Sequence, residues 1–260
     1  MLRVKACGLS DVGLTRVHNE DYFEIDPRHR LYVVADGMGG HSHGEVAAQL
    51  AVRAIHDFIE KSSDRDTTWP AKPDPRLRRH SNLLKHAVRT AHDNVLRAIS
   101  KDGTLHGMGT TVVGLLLSGG IAAVAHVGDS RAYRLRGGRL ELLTQDHTWV
   151  NEQVVAGLLS KEQARSHPLK NVVTRALGGE SDVLVDVREL EVQAGDLYLL
   201  CSDGLTTMLS DPDIHERLAS GLSLHEICRS LVNDANARGG IDNVTVVLLA
   251  IDDHEDQAPA

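Results

Sequence analysis

At 260 residues the chain is near the upper size for one compact core and buries enough apolar surface to need no disulfide staple. Apolar residues make up 42% and charged residues 25%, the balance of a soluble globular protein, while aromatics reach only 3%, so Leu, Val, Ile and Ala must fill the core. A formal net charge of −8 excludes nucleic acid as the main partner, because phosphate backbones select basic surfaces, but it permits a phosphorylated substrate wherever bound cations reverse the local sign.

The first apolar run ends at Asp36-Gly37-Met38-Gly39-Gly40, which reads as a strand entering a glycine-rich turn. A helix is predicted over 45–61, where Ala47, Leu50, Ala51, Ala54, Ile55, Phe58 and Ile59 recur on one face. Residues 62–79 contain Pro70, Pro73 and Pro75 and read as a surface loop. A second helix is predicted over 82–100, with Leu84, Ala87, Val88, Ala91, Val95 and Ile99 facing inward. Strands follow over 110–117, 121–127 and 131–135, with Gly119-Gly120 turning one hairpin and Gly137-Gly138 another. The stretch 146–168 is an excursion of two short helical pieces, and Ser160 through Gln163 has the form of a capping box. Strands are predicted over 183–192 and 197–201, helices over 212–219 and 224–237, and a last strand over 244–251. Residues 253–260 form an acidic, patternless tail, expected to be disordered, after a single domain over 1–252. Strands in hairpin runs and helices in pairs do not fit a doubly wound parallel sheet. They indicate an α+β fold in which antiparallel sheets stack face to face under helix pairs.

Cys7, Cys201 and Cys228 are too few and too widely spaced for a disulfide framework and fit reduced thiols. Cys201, inside a buried run, reads as an apolar filler and not as a nucleophile. The N-terminus lacks the apolar segment of a signal peptide, and no run approaches the roughly 18 apolar residues of a membrane span, so a soluble, cytoplasmic protein is expected. The 15 histidines show no zinc spacing and read as surface or turn residues. No large apolar face argues for self-association, so a monomer is expected.

Three aspartates stand at the mouths of three apolar runs: Asp36 after Leu31 to Ala35, Asp203 after Leu197 to Ser202, and Asp242 before Val244 to Leu249. A carboxylate at the end of a buried strand is costly unless something pairs with it. Three such carboxylates, far apart in sequence, point to one shared partner, a cluster of hard divalent cations with oxygen ligands.

An ordered series of motifs surrounds them. Arg16-Val17-His18-Asn19-Glu20-Asp21 comes first, then Ala35 through Gly40, Gly109-Thr110-Thr111, Val127-Gly128-Asp129-Ser130-Arg131, Cys201-Ser202-Asp203-Gly204 and Asp242-Asn243-Val244-Thr245. Their order and wording resemble the metal-dependent serine/threonine protein phosphatases, the PPM or type 2C class, in their bacterial form. The resemblance runs from about Gly8 to Ala250. It implies a four-layer αββα sandwich, two antiparallel β-sheets flanked by helix pairs, with two Mn²⁺ or Mg²⁺ ions at one end and a weaker third site. It further implies hydrolysis of phosphoserine and phosphothreonine by a water shared between the two ions, on phosphorylated proteins, opposing a bacterial serine/threonine kinase.

Carried over by motif, Asp36 bridges both metals, the Gly37 carbonyl binds the second, and Asp203 and Asp242 hold the first. Arg16 matches the family's phosphate-binding arginine, whose planar fork suits two phosphate oxygens. Glu20 matches the residue that holds a metal-bound water, with Asp21 beside it and Asn243 shaping the turn after Asp242. Asp129, with Asp203, matches the third-metal ligand; its bland alternative is a turn cap. Thr110 and Thr111 are expected to orient a site carboxylate. The excursion over 146–166 matches the family's flap, where His147 and Asn151 are candidates for substrate choice. Met38 stands where eukaryotic members carry a histidine proposed as leaving-group acid. His41 is the candidate replacement, with His43 beyond it and a metal-bound water as the alternative donor. Two rival readings are a pseudophosphatase that binds without turnover, against which the intact Asp36, Asp203 and Asp242 argue, and an enzyme specialised for one phosphorylated regulator.

Overall fold

The structure, a computed structural model, describes residues 3–39, 43–62 and 72–252. The expected tail over 253–260, His41 and part of the expected loop over 62–79 lie outside the described residues. In chain order the strands and helices are β1 (Arg3–Asp11), β2 (Asp21–Asp26), β3 (Leu31–Met38), α1 (His43–Lys61), α2 (Arg79–Lys101), β4 (Gly109–Thr110), β5 (Val112–Ser118), β6 (Ile121–Val127), β7 (Arg131–Arg136) and β8 (Arg139–Leu142). They continue with α3 (Trp149–Val155), α4 (Lys161–Ser166), β9 (Asp186–Glu191), β10 (Leu197–Cys201), α5 (Asp203–Met208), α6 (Asp211–Leu218), α7 (Leu224–Ala237) and β11 (Val244–Asp252).

Two sheets form. One has the order β1-β11-β10-β7-β8, the other β2-β3-β5-β6-β9 with β4 added beside β3, and every pairing is antiparallel. The interior is layered to match. Tyr32, Val34, Val113, Leu115, Tyr198, Leu200, Val247 and Leu249 meet between the sheets. Val33, Ala35, Val112, Leu116, Ala123 and Ala125 point the other way, onto α1 and α2. Leu199, Cys201, Val246 and Leu248 point outward from the first sheet onto α5, α6 and α7. Inner strands are thus covered on both faces, which is why 197–201 and 244–251 read as near-continuous apolar runs, interrupted only by Thr245, without polar alternation. The αββα sandwich and most element boundaries agree with the sequence reading.

Four elements differ from it. β1 and β2 carry too many polar residues to stand out; β1 is an edge strand, half-buried along most of its length, and pairs only with β11. Asp203-Gly204, at the mouth of the 197–202 run, opens the short helix α5, to which the sequence reading assigns no element. The strand predicted over 110–117 is split at Thr111, whose N–H donates to the Asp36 carbonyl at 2.8 Å.

The connections that cross between sheets decide where chemistry can occur. β1 to β2 and β6 to β7 each pass from one sheet to the other. Asp11 pairs with Val244, Asp21 with Asp36, and Cys201 with both Arg131 and Val246. These registers bring Asp21, Asp36, Asp129, Asp203 and Asp242 to one end of the sandwich.

Candidate active site

Backbone geometry at this end is fixed first. Gly37 closes β3 against the first turn of α1: a Cβ there would stand 2.1 Å from the Gly44 carbonyl oxygen and 2.6 Å from that of Glu20. A Cβ on Gly44 would in turn meet the Gly37 oxygen and the Glu20 carboxyl carbon, both at 2.8 Å. Two glycines therefore let the Gly37 carbonyl and the Glu20 carboxylate approach each other as no side-chain-bearing pair could. Gly204 plays the same part at the start of α5, where a Cβ would come within 1.9 Å of the Asn243 carbonyl oxygen.

Asp36 is set by its backbone. Its N–H donates to Thr111 Oγ1 at 3.2 Å, and its carbonyl accepts from Thr110 Oγ1 at 2.9 Å. Thr111 Oγ1 continues to Ser130 Oγ at 2.7 Å. The threonines thus hold the main chain of Asp36, and its carboxyl group is left to the centre, a correction to the expectation that they orient a carboxylate.

Asn243 organises the loop between β1 and β2. Its Oδ1 accepts from the Glu20 N–H at 2.8 Å, and its Nδ2 donates to the carbonyls of Val12 at 2.9 Å and His18 at 3.0 Å. Leu14 N–H, at 2.7 Å, and Thr15 Oγ1, at 3.0 Å, also tie that loop to the Gly240 carbonyl. The loop presents Arg16, half-exposed, whose Nη2 donates to Asp242 Oδ2 at 2.8 Å. Among the described residues this is the one ion pair made by the five aspartates.

The electrostatics of the five are unusual. Burial pushes Asp36 well above the usual carboxylate range, and the charges of Asp21, Asp203, Asp129 and Asp242 push it further. Burial likewise raises Asp21 to about 7 despite its hydrogen bond from Ser202. Asp129 rises to about 8, through burial and then the charges of Asp203 and Asp146. Asp203 rises to about 6 through burial and Asp242, and a side-chain hydrogen bond with Asp36 partly offsets the rise. Asp21 Oδ2 accepts from Ser202 Oγ at 2.7 Å, but its Oδ1 is buried with no hydrogen-bond partner. Asp21 is therefore neither a turn residue nor the partner of a basic side chain. The centre concentrates more negative charge than the chain's own cations compensate. An all-oxygen donor set of carboxylates and the Gly37 carbonyl fits hard cations such as Mg²⁺ or Mn²⁺ in place of Zn²⁺.

The flap candidates are placed otherwise than expected. His147 is buried: its Nδ1 accepts from the Gly128 N–H at 3.0 Å, its Nε2 faces Asp186 Oδ2 at 3.2 Å, and its ring stacks on His126 at 4.7 Å. Burial lowers its pKa. It props the Gly128-Asp129 turn from behind and does not face a substrate. Asn151 Nδ2 donates to the Asp146 carbonyl at 2.6 Å, which closes the flap's own base. The sequence reading missed Asp146 and Arg131. Arg131 grips Asp146 through Nε at 2.9 Å and Nη2 at 2.6 Å, and Asp146 acts electrostatically on both Asp129 and Asp203. An arginine directly after Asp129-Ser130 was the available signal. His43, at the start of α1, lies within electrostatic reach of Asp102. Cys201 is fully buried and its thiol is pushed up to about 12, so it is an inert filler.

Residues 15–236 match the family described as Protein phosphatase 2C. The serine/threonine phosphatase stp of Listeria monocytogenes is 37% identical over 251 residues, 94% of this chain and 94% of that protein. The protein phosphatase PhpP of Streptococcus pneumoniae is 33% identical over 250 residues, 95% and 97% of the two chains. Among solved structures, the Mycobacterium tuberculosis serine/threonine phosphatase PstP/Ppp is similar with a TM-score of 0.85 at 37% identity, covering 96% of this chain and 99% of that one. The PstP catalytic domain in complex with 2 manganese ions gives a TM-score of 0.83 at 36% identity, over 97% and 100% of the two chains.

Proposed function

The chain belongs to the protein phosphatase 2C family, and we propose that its five-aspartate centre is where it hydrolyses phosphoserine and phosphothreonine in proteins, with Mn²⁺ or Mg²⁺ as cofactor. The observation that carries this reading is the cluster itself: buried carboxylates raised by burial and by one another, one oxygen of Asp21 without a partner, and a single arginine at the rim. Such a cluster is tenable at neutral pH when cations balance it.

On this reading Asp36 and the Gly37 carbonyl, with Asp203 and Asp242, hold two ions, and Asp129 with Asp203 offers a third, weaker position. Two divalent ions, when bound, acidify the attacking water and offset charge on the phosphoryl oxygens. The chain's residues do the rest. Arg16, now the counter-ion of Asp242, swings its fork to two oxygens of the phosphate and orients the ester. Glu20, beside Gly37 and Gly44, accepts a hydrogen bond from water at the centre. Asp21 adds negative charge from below without leaving its bond to Ser202. Asn243 keeps Arg16 and Glu20 on one rigid loop.

The proteins acted on include, on this proposal, a serine/threonine kinase and its substrates, met by a monomer in the cytoplasm. The free thiols Cys7, Cys201 and Cys228 support that compartment. No described helix is long and apolar enough to cross a membrane. The test is phosphate release from a phosphothreonine peptide and from p-nitrophenyl phosphate with Mn²⁺, then with chelator. Manganese-dependent release is expected; metal binding without release would turn the reading into a pseudophosphatase.

A further inference from the structure

A second set of donor atoms lies at the opposite end of the sheet from the acidic centre. In the pairing of β2 with β3, Asp21 faces Asp36 at one end and Asp26 faces Leu31 at the other. Asp26 ends β2, His29 stands in the turn before β3, and His56 comes from α1. One carboxylate oxygen and one nitrogen from each imidazole all lie within 4.8 Å of one another.

Asp26 is preset for this contact. Its Oδ1 accepts the backbone N–H groups of Arg28 at 2.9 Å and His29 at 3.1 Å, which fixes the carboxylate plane. Its Oδ2 is thereby aimed at His29 Nδ1, 2.5 Å away, and His56 Nε2, 3.1 Å away. The side chains of Asp26 and His29 are 10% and 12% exposed and that of His56 30%, so the set is shielded on one side and reachable on the other. The second ring nitrogen of His56 faces Asp57 Oδ1 at 3.8 Å. At that distance Asp57 makes no hydrogen bond to the ring, but its charge favours a cation at His56.

We propose that Asp26, His29 and His56 form a site for a borderline divalent cation, Zn²⁺ before Mg²⁺ or Mn²⁺, that ties the β2–β3 turn to α1. Two imidazoles and one carboxylate are a zinc donor set, with a fourth position open to water, whereas the acidic centre offers oxygen alone. Tetrahedral bonds of about 2.1 Å separate neighbouring ligand atoms by roughly 3.4 Å, so the two Asp26–imidazole spacings, 2.5 Å and 3.1 Å, have to open by less than about 1 Å. The other close trio, His126, His147 and Asp186, does not qualify. There Arg175 Nη1 already stands 2.9 Å from His147 Nε2 and 3.1 Å from Asp186 Oδ1, placing a fixed positive charge where an ion would sit.

Cobalt(II) tests this on the full chain. With the acidic centre filled by excess Mg²⁺, which is spectroscopically silent, Co²⁺ should give the intense visible bands of a four-coordinate nitrogen–oxygen site, and Zn²⁺ should bleach them. Equilibrium dialysis under the same Mg²⁺ should find one equivalent of Zn²⁺ lost in a His29→Gln/His56→Gln variant, and affinity lowered at least about ten-fold in His56→Gln alone. If the double variant does not fold, the wild-type protein decides through its imidazole ¹⁵N shifts, which should move on zinc addition at two histidines. Absence of the bands and of the extra equivalent, or their survival in the double variant, overturns the proposal and leaves a hydrogen-bonded His–Asp–His cluster.

Discussion

Stripping divalent ions from the protein should make its stability fall as pH rises from about 7.5 to 8.5. Asp21 and Asp129, raised to about 7 and about 8, hold protons in the fold that the unfolded chain releases near 3.8. A carboxyl group raised in this way contributes stability that is full below its unfolded value and lost as pH climbs through its folded value. Half-buried His80 and buried His86, His92, His126 and His147 are lowered and act with the opposite sign; the unfolded imidazole is still half protonated at about pH 6.5, so their contribution is complete only by about pH 7.5. The clean window is therefore about pH 7.5 to 8.5. Across it, a group titrating near 8 gives up about 0.7 kcal/mol and one near 7 only about 0.1 kcal/mol. The joint loss is on the order of 1 kcal/mol, or roughly 2–4 °C in melting temperature for a chain of this size. Calorimetry or intrinsic fluorescence melts in chelator, stepped through the window, would measure it. Saturating Mn²⁺ should abolish the slope, and Asp129→Asn should flatten it in chelator. A chelated protein equally stable at both pH values would refute the idea that these carboxylates are buried against one another.

Other expectations follow from single contacts. Arg16→Lys should raise KM for phosphopeptide more than it lowers kcat, because an ammonium cannot reproduce the two-pronged contact; steady-state kinetics decide it. Asn243→Ala removes three hydrogen bonds to the loop carrying Arg16 and Glu20, so denaturant melts should show a loss of about 2–3 kcal/mol together with a fall in kcat/KM. Gly204→Ala places a methyl within 1.9 Å of a backbone oxygen, and should cost at least about 1–3 kcal/mol or leave the protein insoluble, read by expression and thermal melt. His147→Gln should loosen the Gly128 turn and lower stability without changing which phosphopeptides are preferred, the opposite of a substrate-contacting residue.

Much of this architecture was legible in the sequence because inner strands covered on both faces leave near-continuous apolar runs, and 197–201 and 244–251 were such runs. β1 and β2 were hidden for the converse reason: an edge strand keeps its polar residues, so neither periodicity nor apolar density exposes it. The strand-end aspartates were visible as an electrostatic anomaly, and the motif order carried the residues around them. What the sequence could not supply was direction. His147 sits one residue past Asp146 at the foot of a surface excursion, yet it turns inward beneath Gly128, a choice made by Asp186 and Gly128 from distant segments. The meeting of His29 with His56 was equally invisible, since they lie 27 positions apart by their numbering and only the packing of α1 on β2 joins them.

The central claim is that the five-aspartate centre is a metal-dependent phosphatase site. Its most direct test is phosphate release from a phosphothreonine peptide by the wild type and by Asp203→Asn, at saturating Mn²⁺, with far-UV circular dichroism confirming that both are folded. The expected result is a fall of at least about a hundred-fold in the variant, since a lost ligand should cost no less than a lost supporting contact. Undiminished release by a folded Asp203→Asn protein would contradict the claim.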